Sequence, residues 1–354
     1  MTASALILTD GLLAEIACKT AHGLIFGSSR YAIVGLIDSK YAGMDPGMVF
    51  SNQKTNIVIF ASIQEALEQI PQKPDYCVIG VAPMGGKLSG SLEATIQEAI
   101  KAGINIVSGL HNLLCDNPVL VALAKKHGVE LIDIRKPKPY KELSTWTGAI
   151  SSITTPRIAV IGTDCSVGKR TTSGLLLDLC RSHNIRAEMI YTGQTGWLQN
   201  MNYGFILDAT LNDFVAGEFE KAILKCDEEA KPDLMILEGQ SGLRNPAGPC
   251  GAEYLCSAGA RYVILQHAPS RTHYLFDSSK QHKIPDVRDE IALIAYYGAK
   301  VIAITLNASG LSQEAAHAIK IQLQEQTHLP VLYPKEEGLE ALLPVVTEIL
   351  NEHS

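Results

Sequence analysis

The run RIAVIGTDCSVGKRTTSGLLLDL, Arg157 to Leu179, constrains the fold of this chain more than any other stretch. An apolar segment ends at Gly162, a polar loop runs to Gly168, and an amphipathic segment starts at Lys169. The pattern predicts a buried strand, a glycine-bounded loop and a helix. That arrangement gathers loop N–H groups and the open first turn of the helix around one concavity. The helix dipole favours negative charge there, and Lys169 adds a full positive charge. A phosphate-bearing ligand is the expected occupant, held by Gly162, Thr163, Asp164, Cys165, Ser166, Val167, Gly168 and Lys169, with Arg170, Thr171 and Thr172 following. A glycine turn with no ligand is the alternative.

The loop departs from G-x-x-x-x-G-K-[ST] in two ways. Five residues separate Gly162 from Gly168, one more than usual. Arg170 stands where a Ser or Thr hydroxyl normally holds Mg²⁺, and it is expected to face solvent or a partner subunit. The longer spacing resembles dethiobiotin synthetase and its P-loop relatives, whose loop reads much like GTDCSVGK. Arg170 weighs against Mg²⁺-dependent phosphoryl transfer unless Thr171 or Thr172 reaches the metal.

At 354 residues the chain is long enough for about two domains. Hydrophobic residues make up 46% and charged residues 19%, which suits sizeable cores rather than disorder. Net charge is −7, with no basic cluster, so nucleic acid is not an expected partner. The N-terminus lacks a basic leader, and no apolar run approaches the ~18 residues of a membrane span. Eight cysteines form no C-x-x-C pair, and their scatter in apolar surroundings suggests reduced, cytoplasmic thiols. Cys250 and Cys256 are read as structural.

From about Gly23 to Lys136 the chain alternates strand and helix. YAIVGLID ends in Asp38, and Ser62 to Ile70 is a helix with a Ser62 and Glu65 capping box. Asp75 to Pro83 is a strand, and Ser91 to Gly103 a helix closed by glycine. INIVSGL, NPVLVALAKKHG and VELIDIR continue the alternation. This predicts an α/β fold with a Rossmann-like parallel sheet, although no G-x-G-x-x-G is present. VGLIDSKYAG and EAIKAGINIVSGL resemble CoA-binding domains of the succinyl-CoA synthetase type. The domains are then a Rossmann-like domain over residues 1–140, a linker over 141–156 anchored by Trp146, and a P-loop NTPase-like α/β domain over 157–354.

Polar residues recur at the carboxyl ends of the second domain's apolar strands, the ligand-binding edge of an open α/β sheet. Glu238 follows LMIL, as in a Walker B strand, placed to hold Mg²⁺ or act as a base. Asp208 is a second candidate metal acid, or a loop charge. Gln240, Ser241, Arg244 and Asn245 can grip a substrate carboxylate, with Arg244 as a bidentate clamp. His267 can take a proton near neutral pH, and Arg271 lies beside it in sequence. Asn307 resembles the base-contacting asparagine of dethiobiotin synthetase. Tyr191 and Thr192 replace that enzyme's carbamate-forming lysine, so its reaction is not expected. Cys165, near a helix N-terminus, is either reactive or a small residue the loop tolerates.

Taken together, GTDCSVGKRTT, TGQTGW, DFVAGE, EGQSGL and QHAPSR resemble, over nearly the whole chain, the D-glutamate N-acetyltransferase-like family of bacterial proteins. The resemblance implies acetyl transfer from acetyl-CoA to the amine of D-glutamate. The P-loop would hold the CoA phosphates, Glu238 or His267 would serve as base, and Arg244 and Arg271 would suit a dicarboxylic acceptor. Two alternatives stay open: a ligase or kinase using ATP with Mg²⁺ held by Asp208 and Glu238, and a non-catalytic nucleotide or CoA sensor. P-loop relatives of this type often pair, so a homodimer is expected.

Overall fold

Six short apolar runs in the first part of the chain form one parallel sheet. They are β1 (Ser4–Leu8), β2 (Ala32–Ile37), β3 (Ile59–Phe60), β4 (Tyr76–Ile79), β5 (Asn105–Ser108) and β6 (Leu131–Asp133). The computed structural model describes residues 2–27, 29–82 and 88–353. The expected end of the second strand, Pro83, lies outside them. The order β3-β2-β1-β4-β5-β6 is that of the doubly wound Rossmann sheet, reversing direction between β1 and β4.

Its centre is β1, which the sequence pattern did not single out. SALIL is a short apolar run broken at once by Asp10 and Gly11, so it has no periodicity to display, yet Ala5, Leu6 and Ile7 are fully buried. The helices follow their capping signals. Ser62 accepts the N–H of Glu65, whose carboxylate reaches back to the N–H of Ala61. The helix Gly90–Lys101 starts one residue before the expected Ser91 because Ser89 caps it through the N–H of Leu92. Pro118–His127 starts at the Asn117 cap and ends on left-handed Gly128.

The second sheet is also parallel. Its strands are β7 (Arg157–Gly162), β8 (Ala187–Tyr191), β9 (Tyr203–Gly204), β10 (Leu234–Glu238), β11 (Tyr262–His267), β12 (Lys300–Leu306) and β13 (Val331–Leu332), in the order β13-β12-β11-β7-β10-β8-β9. Buried on both faces, β7, β10, β11 and β12 read as continuous apolar runs rather than alternating ones. No helix among the described residues is long and apolar enough to cross a membrane.

Contacts divide the chain into two units: Met1–Lys138 with Gly193–Met201, and Pro139–Thr192 with Asn202–Ser354. The units differ in two ways from the expected division into residues 1–140, a linker over 141–156 and residues 157–354. Residues 141–156, expected as a linker, lie within the second unit. Two buried glutamates of the helix Asn212–Ala230 hold them there. Glu218 accepts the N–H of Ser144 at 2.9 Å, and Glu220 accepts those of Thr147 and Ile150 at 2.7 and 3.0 Å. The backbone passes so close to that helix that a Cβ on Gly217 would meet Ser144 O at 2.0 Å. Trp146 donates to Ser257 O at 3.2 Å, as an anchor would.

The other departure is Gly193–Met201, which packs into the first unit although it follows β8 in sequence. Leu198 is fully buried in the first unit's core. Gln199 donates to Gly23 O, Arg30 donates to Trp197 O, and the Arg30 guanidinium lies 4.2 Å from the Trp197 ring centroid.

Candidate phosphate site

β7 delivers the chain to Gly162 in the middle of the second sheet, and the helix Lys169–Ser182 leaves from Gly168. Gly168 sits at φ 120°, which an L side chain rarely adopts. Gly162 has no room for a side chain: a Cβ there would lie 2.9 Å from the Lys169 side chain and from Val167 Cγ2. On the other side Lys169 runs past Gly239, whose added Cβ would meet Val160 O at 2.0 Å. Its ammonium donates to Asp164 O and Ser241 O, each at 2.7 Å. Lys169 thus ties the loop to the turn after β10, and it is only 6% exposed.

The loop is braced from below by its own Asp164, fully buried. One carboxylate oxygen accepts the Cys165 N–H at 2.7 Å and Asn245 Nδ2 at 2.8 Å. The other accepts Arg271 at 2.7 Å and the Leu275 N–H at 2.8 Å. Arg271 also donates to Cys165 O. Arg271, expected among the substrate-binding residues, has its guanidinium on buried Asp164 in this structure. Thr163 and Cys165 were expected to offer N–H groups to a ligand, but the Thr163 N–H is given to Gln266 O and that of Cys165 to Asp164. Beyond Cys165 the loop turns through left-handed Ser166 and Gly168 into the helix that begins at Lys169.

A second brace comes from β11 and β12. Gln266 donates to Val167 O at 3.2 Å, and its own carbonyl oxygen accepts the hydroxyls of Thr172 and Thr305. Asn307 Nδ2 also donates to Val167 O, at 3.2 Å. Asn307, expected to contact a base, supports the loop in this structure. Ser241, at φ 39°, brings its hydroxyl to 3.5 Å from Cys165 Sγ.

Glu238 ends β10 and is 4% exposed. Its carboxylate accepts the Thr192 N–H at 3.2 Å, and Arg170 NH1 lies 3.4 Å away in an ion pair. The expectation that Arg170 faces solvent or a partner is corrected: it turns inward, its guanidinium against Met189 Sδ and Glu238. Thr171 is exposed, and the Thr172 hydroxyl is spent on Gln266. Asp208 lies exposed on a short turn, Leu207–Ala209. Among the described residues no group of three or more His, Cys, Asp or Glu is placed to hold a metal ion. Buried Tyr254 donates to Glu238 O at 2.8 Å, and Gln240 donates to the Thr192 hydroxyl at 3.2 Å.

His267 ends β11, with Nδ1 2.9 Å from the Thr163 hydroxyl. Burial, then the positive charge of Arg271, lowers its pKa to about 4, so the ring is neutral at physiological pH. Arg244, expected as a bidentate clamp, donates through Nε to Glu290 at 2.7 Å, and Tyr274 OH caps its carbonyl. Glu290 Oε2 is buried without a hydrogen-bond partner among the described residues. Burial pushes the Cys250 thiol up to about 12, in line with a structural role.

Three contributors were not picked out from the sequence. Gln266 and Thr305 are polar residues inside otherwise apolar strands, and that interruption was a readable signal. Glu290 sits in an ordinary amphipathic helix, Val287–Tyr296, and gave none.

The fold and loop define a P-loop α/β domain accompanied by a Rossmann-like domain. Residues 144–343 match the family model described as domain of unknown function DUF1611_C, P-loop domain, and residues 39–137 match its Rossmann-like DUF1611_N partner. The chain belongs to this family. It is 31% identical over 277 residues to a D-glutamate N-acetyltransferase of Tritonibacter scottomollicae, covering 77% of this chain and 81% of that one. A Pseudoalteromonas protein of the same name is 32% identical over 275 residues, 75% and 79% of the two chains. The crystal structure of a DUF1611 family protein from Anabaena variabilis superposes with a TM-score of 0.87 at 28% identity, covering 98% of this chain and 99% of that one.

Proposed function

We propose that the protein is an N-acetyltransferase that moves an acetyl group from acetyl-CoA to the amine of an acidic amino acid such as D-glutamate. The observation that carries this reading is the kinship with two relatives so named over three quarters of the chain. Lys169 at the start of the helix Lys169–Ser182, where the helix dipole favours negative charge, supports the reading. CoA carries a pyrophosphate and a 3′-phosphate, and such a helix start holds phosphate esters without acting on them.

In the reaction the amine nitrogen attacks the thioester carbonyl carbon, the C–S bond breaks, and the thiolate leaves with the bond's electron pair. The amine must also lose a proton. Glu238 and neutral His267 are the two groups at the strand ends able to accept it, and a positioned base contributes about 10²–10⁴-fold. Glu238 is the better supported of the two, because burial beside Arg271 makes a charged His267 costly.

The test is CoA release by the purified protein with D-glutamate, L-glutamate and D-aspartate as acceptors. Release with an acidic amino acid, lost in E238Q and kept in H267N, supports the reading. Binding of acetyl-CoA with no release for any acceptor would favour a sensor. Turnover of Mg-ATP in its place would return the chain to the ligase and kinase class.

A further inference from the structure

We infer that Arg170 takes the place of the divalent cation of a P-loop, so that the site binds its phosphate-bearing ligand without metal. The inference rests on the proposed acyl-transfer reading only for the identity of that ligand, a CoA-type diphosphate ester. Its basis is the residues standing where a metal's ligands would be.

P-loop proteins hold Mg²⁺ between the hydroxyl that follows the lysine and an acid after a neighbouring strand. Here the acid is present as Glu238, but the residue after the lysine is Arg170, and the two form an ion pair at 3.4 Å. Neither of the two threonines that follow Arg170 substitutes. Thr171 is exposed, and Thr172 is 1% exposed with its hydroxyl on Gln266. Mg²⁺ demands oxygen ligands in near-octahedral array. A guanidinium already on Glu238 supplies none and repels a second cation. The residues therefore do not fit the metal.

They do fit its electrostatic task. Arg is charged at every accessible pH and presents N–H donors in a planar fork that matches phosphate oxygens. Arg170 is one residue from Lys169, so two fixed positive charges open the helix where a metal-dependent P-loop has one and a bound ion. The Glu238 carboxylate, which would otherwise hold that ion, holds the guanidinium. Met189 Sδ lies against the guanidinium and offers no oxygen to a metal.

Calorimetric titration with CoA and with ADP tests this, in EDTA and in millimolar Mg²⁺, on wild type, R170T and R170K. Wild type is expected to bind CoA equally, within about twofold, in both buffers. R170T, which restores the usual hydroxyl, is expected to lose tenfold or more in EDTA and to recover in Mg²⁺. R170K is expected to weaken binding in both, because charge without the fork is only part of the device. A tenfold loss of wild-type affinity in EDTA overturns the inference and needs no variant to fold. So does unchanged metal-free binding by R170T. Metal-free binding of ADP with none of CoA would leave Arg170's role standing and sink the acetyl-CoA reading. No binding of either probe in either buffer would remove the phosphate site and both conclusions with it.

Discussion

The bracing of the loop by Asp164 gives a sharp test of how the site is held. Asp164 is fully buried, and its carboxylate collects four donors at 2.7 to 2.8 Å: Cys165 N, Asn245 Nδ2, Arg271 NH1 and Leu275 N. D164A removes the acceptor, strips the Arg271 guanidinium of its buried counter-ion while leaving it Cys165 O, and takes the same acceptor from three neutral donors. Breaking a buried pair from one side costs about 3–5 kcal/mol. In a unit of about 200 residues each kcal/mol moves the melting point roughly 2–4 °C, so a drop of about 6–20 °C is expected. R271A should cost less, about 2 kcal/mol, because Asp164 keeps three donors and the Arg271 side chain is 19% exposed. Scanning calorimetry of the three proteins, with urea midpoints as a second measure, reads the order. If R271A is as damaging as D164A, or if D164A costs under 1 kcal/mol, the carboxylate is not the hub described.

Three further outcomes follow from the geometry. The folded pKa of His267 lies near 4, below its ordinary 6.5. The unfolded chain therefore binds more protons between those values, and stability falls as pH drops through the window, by at most about 3 kcal/mol. H267N should flatten that part of a stability-against-pH curve, and an unchanged slope would refute the assignment. G239A places a methyl group 2.0 Å from Val160 O beneath the Lys169 side chain, so a loss above about 3 kcal/mol is expected by melting. E220A frees residues 147–150 from the helix that pins them, and limited proteolysis should then cut between 139 and 156 well before the wild-type chain is cut there.

Much of this was legible because local signals and tertiary structure agreed. The loop from Gly162 to Lys169, the capped helices, and the strands ending in Asp38, Glu238 and His267 all followed from short-range chemistry. What was missed depended on partners far away in sequence. Arg244 and Arg271 looked like ligand clamps because nothing near them in the chain reveals Glu290 or Asp164 as counter-ions. Arg170 looked outward because Glu238 lies 68 residues on. Residues 141–156 had the hydroxyl run and lack of periodicity of a linker, and the buried carboxylates of Glu218 and Glu220 make them part of a unit. SALIL was too short to show a period, although it became the central strand.

The two sheets obey one rule and differ in how they use it. In both, polar groups gather at the carboxyl ends of the central strands, where a doubly wound sheet opens its crevice. In the second unit that edge carries a glycine-bounded loop and two cations at a helix start. In the first unit the corresponding turn after β1 is Thr9 to Leu13, with Leu13 buried in the core. There the N–H of Ala21, in the first turn of the helix Lys19–Phe26, is given to Gly80 O. Asp38, at the end of β2 where a dinucleotide fold presents an acid to ribose, is 1% exposed and accepts the Thr9 hydroxyl at 2.6 Å and the Lys40 N–H at 3.1 Å. Among the described residues of the first unit, Thr9 and Asp38 are thus turned on one another. The same economy explains Arg271 and Arg244 in the second unit, whose charges are met by Asp164 and Glu290. Lys169 and Arg170 differ from them in position, because both open a helix whose dipole already favours an anion. Carbonyl oxygens for one and Glu238 for the other are among the contacts that fix these two positive charges at the start of the helix.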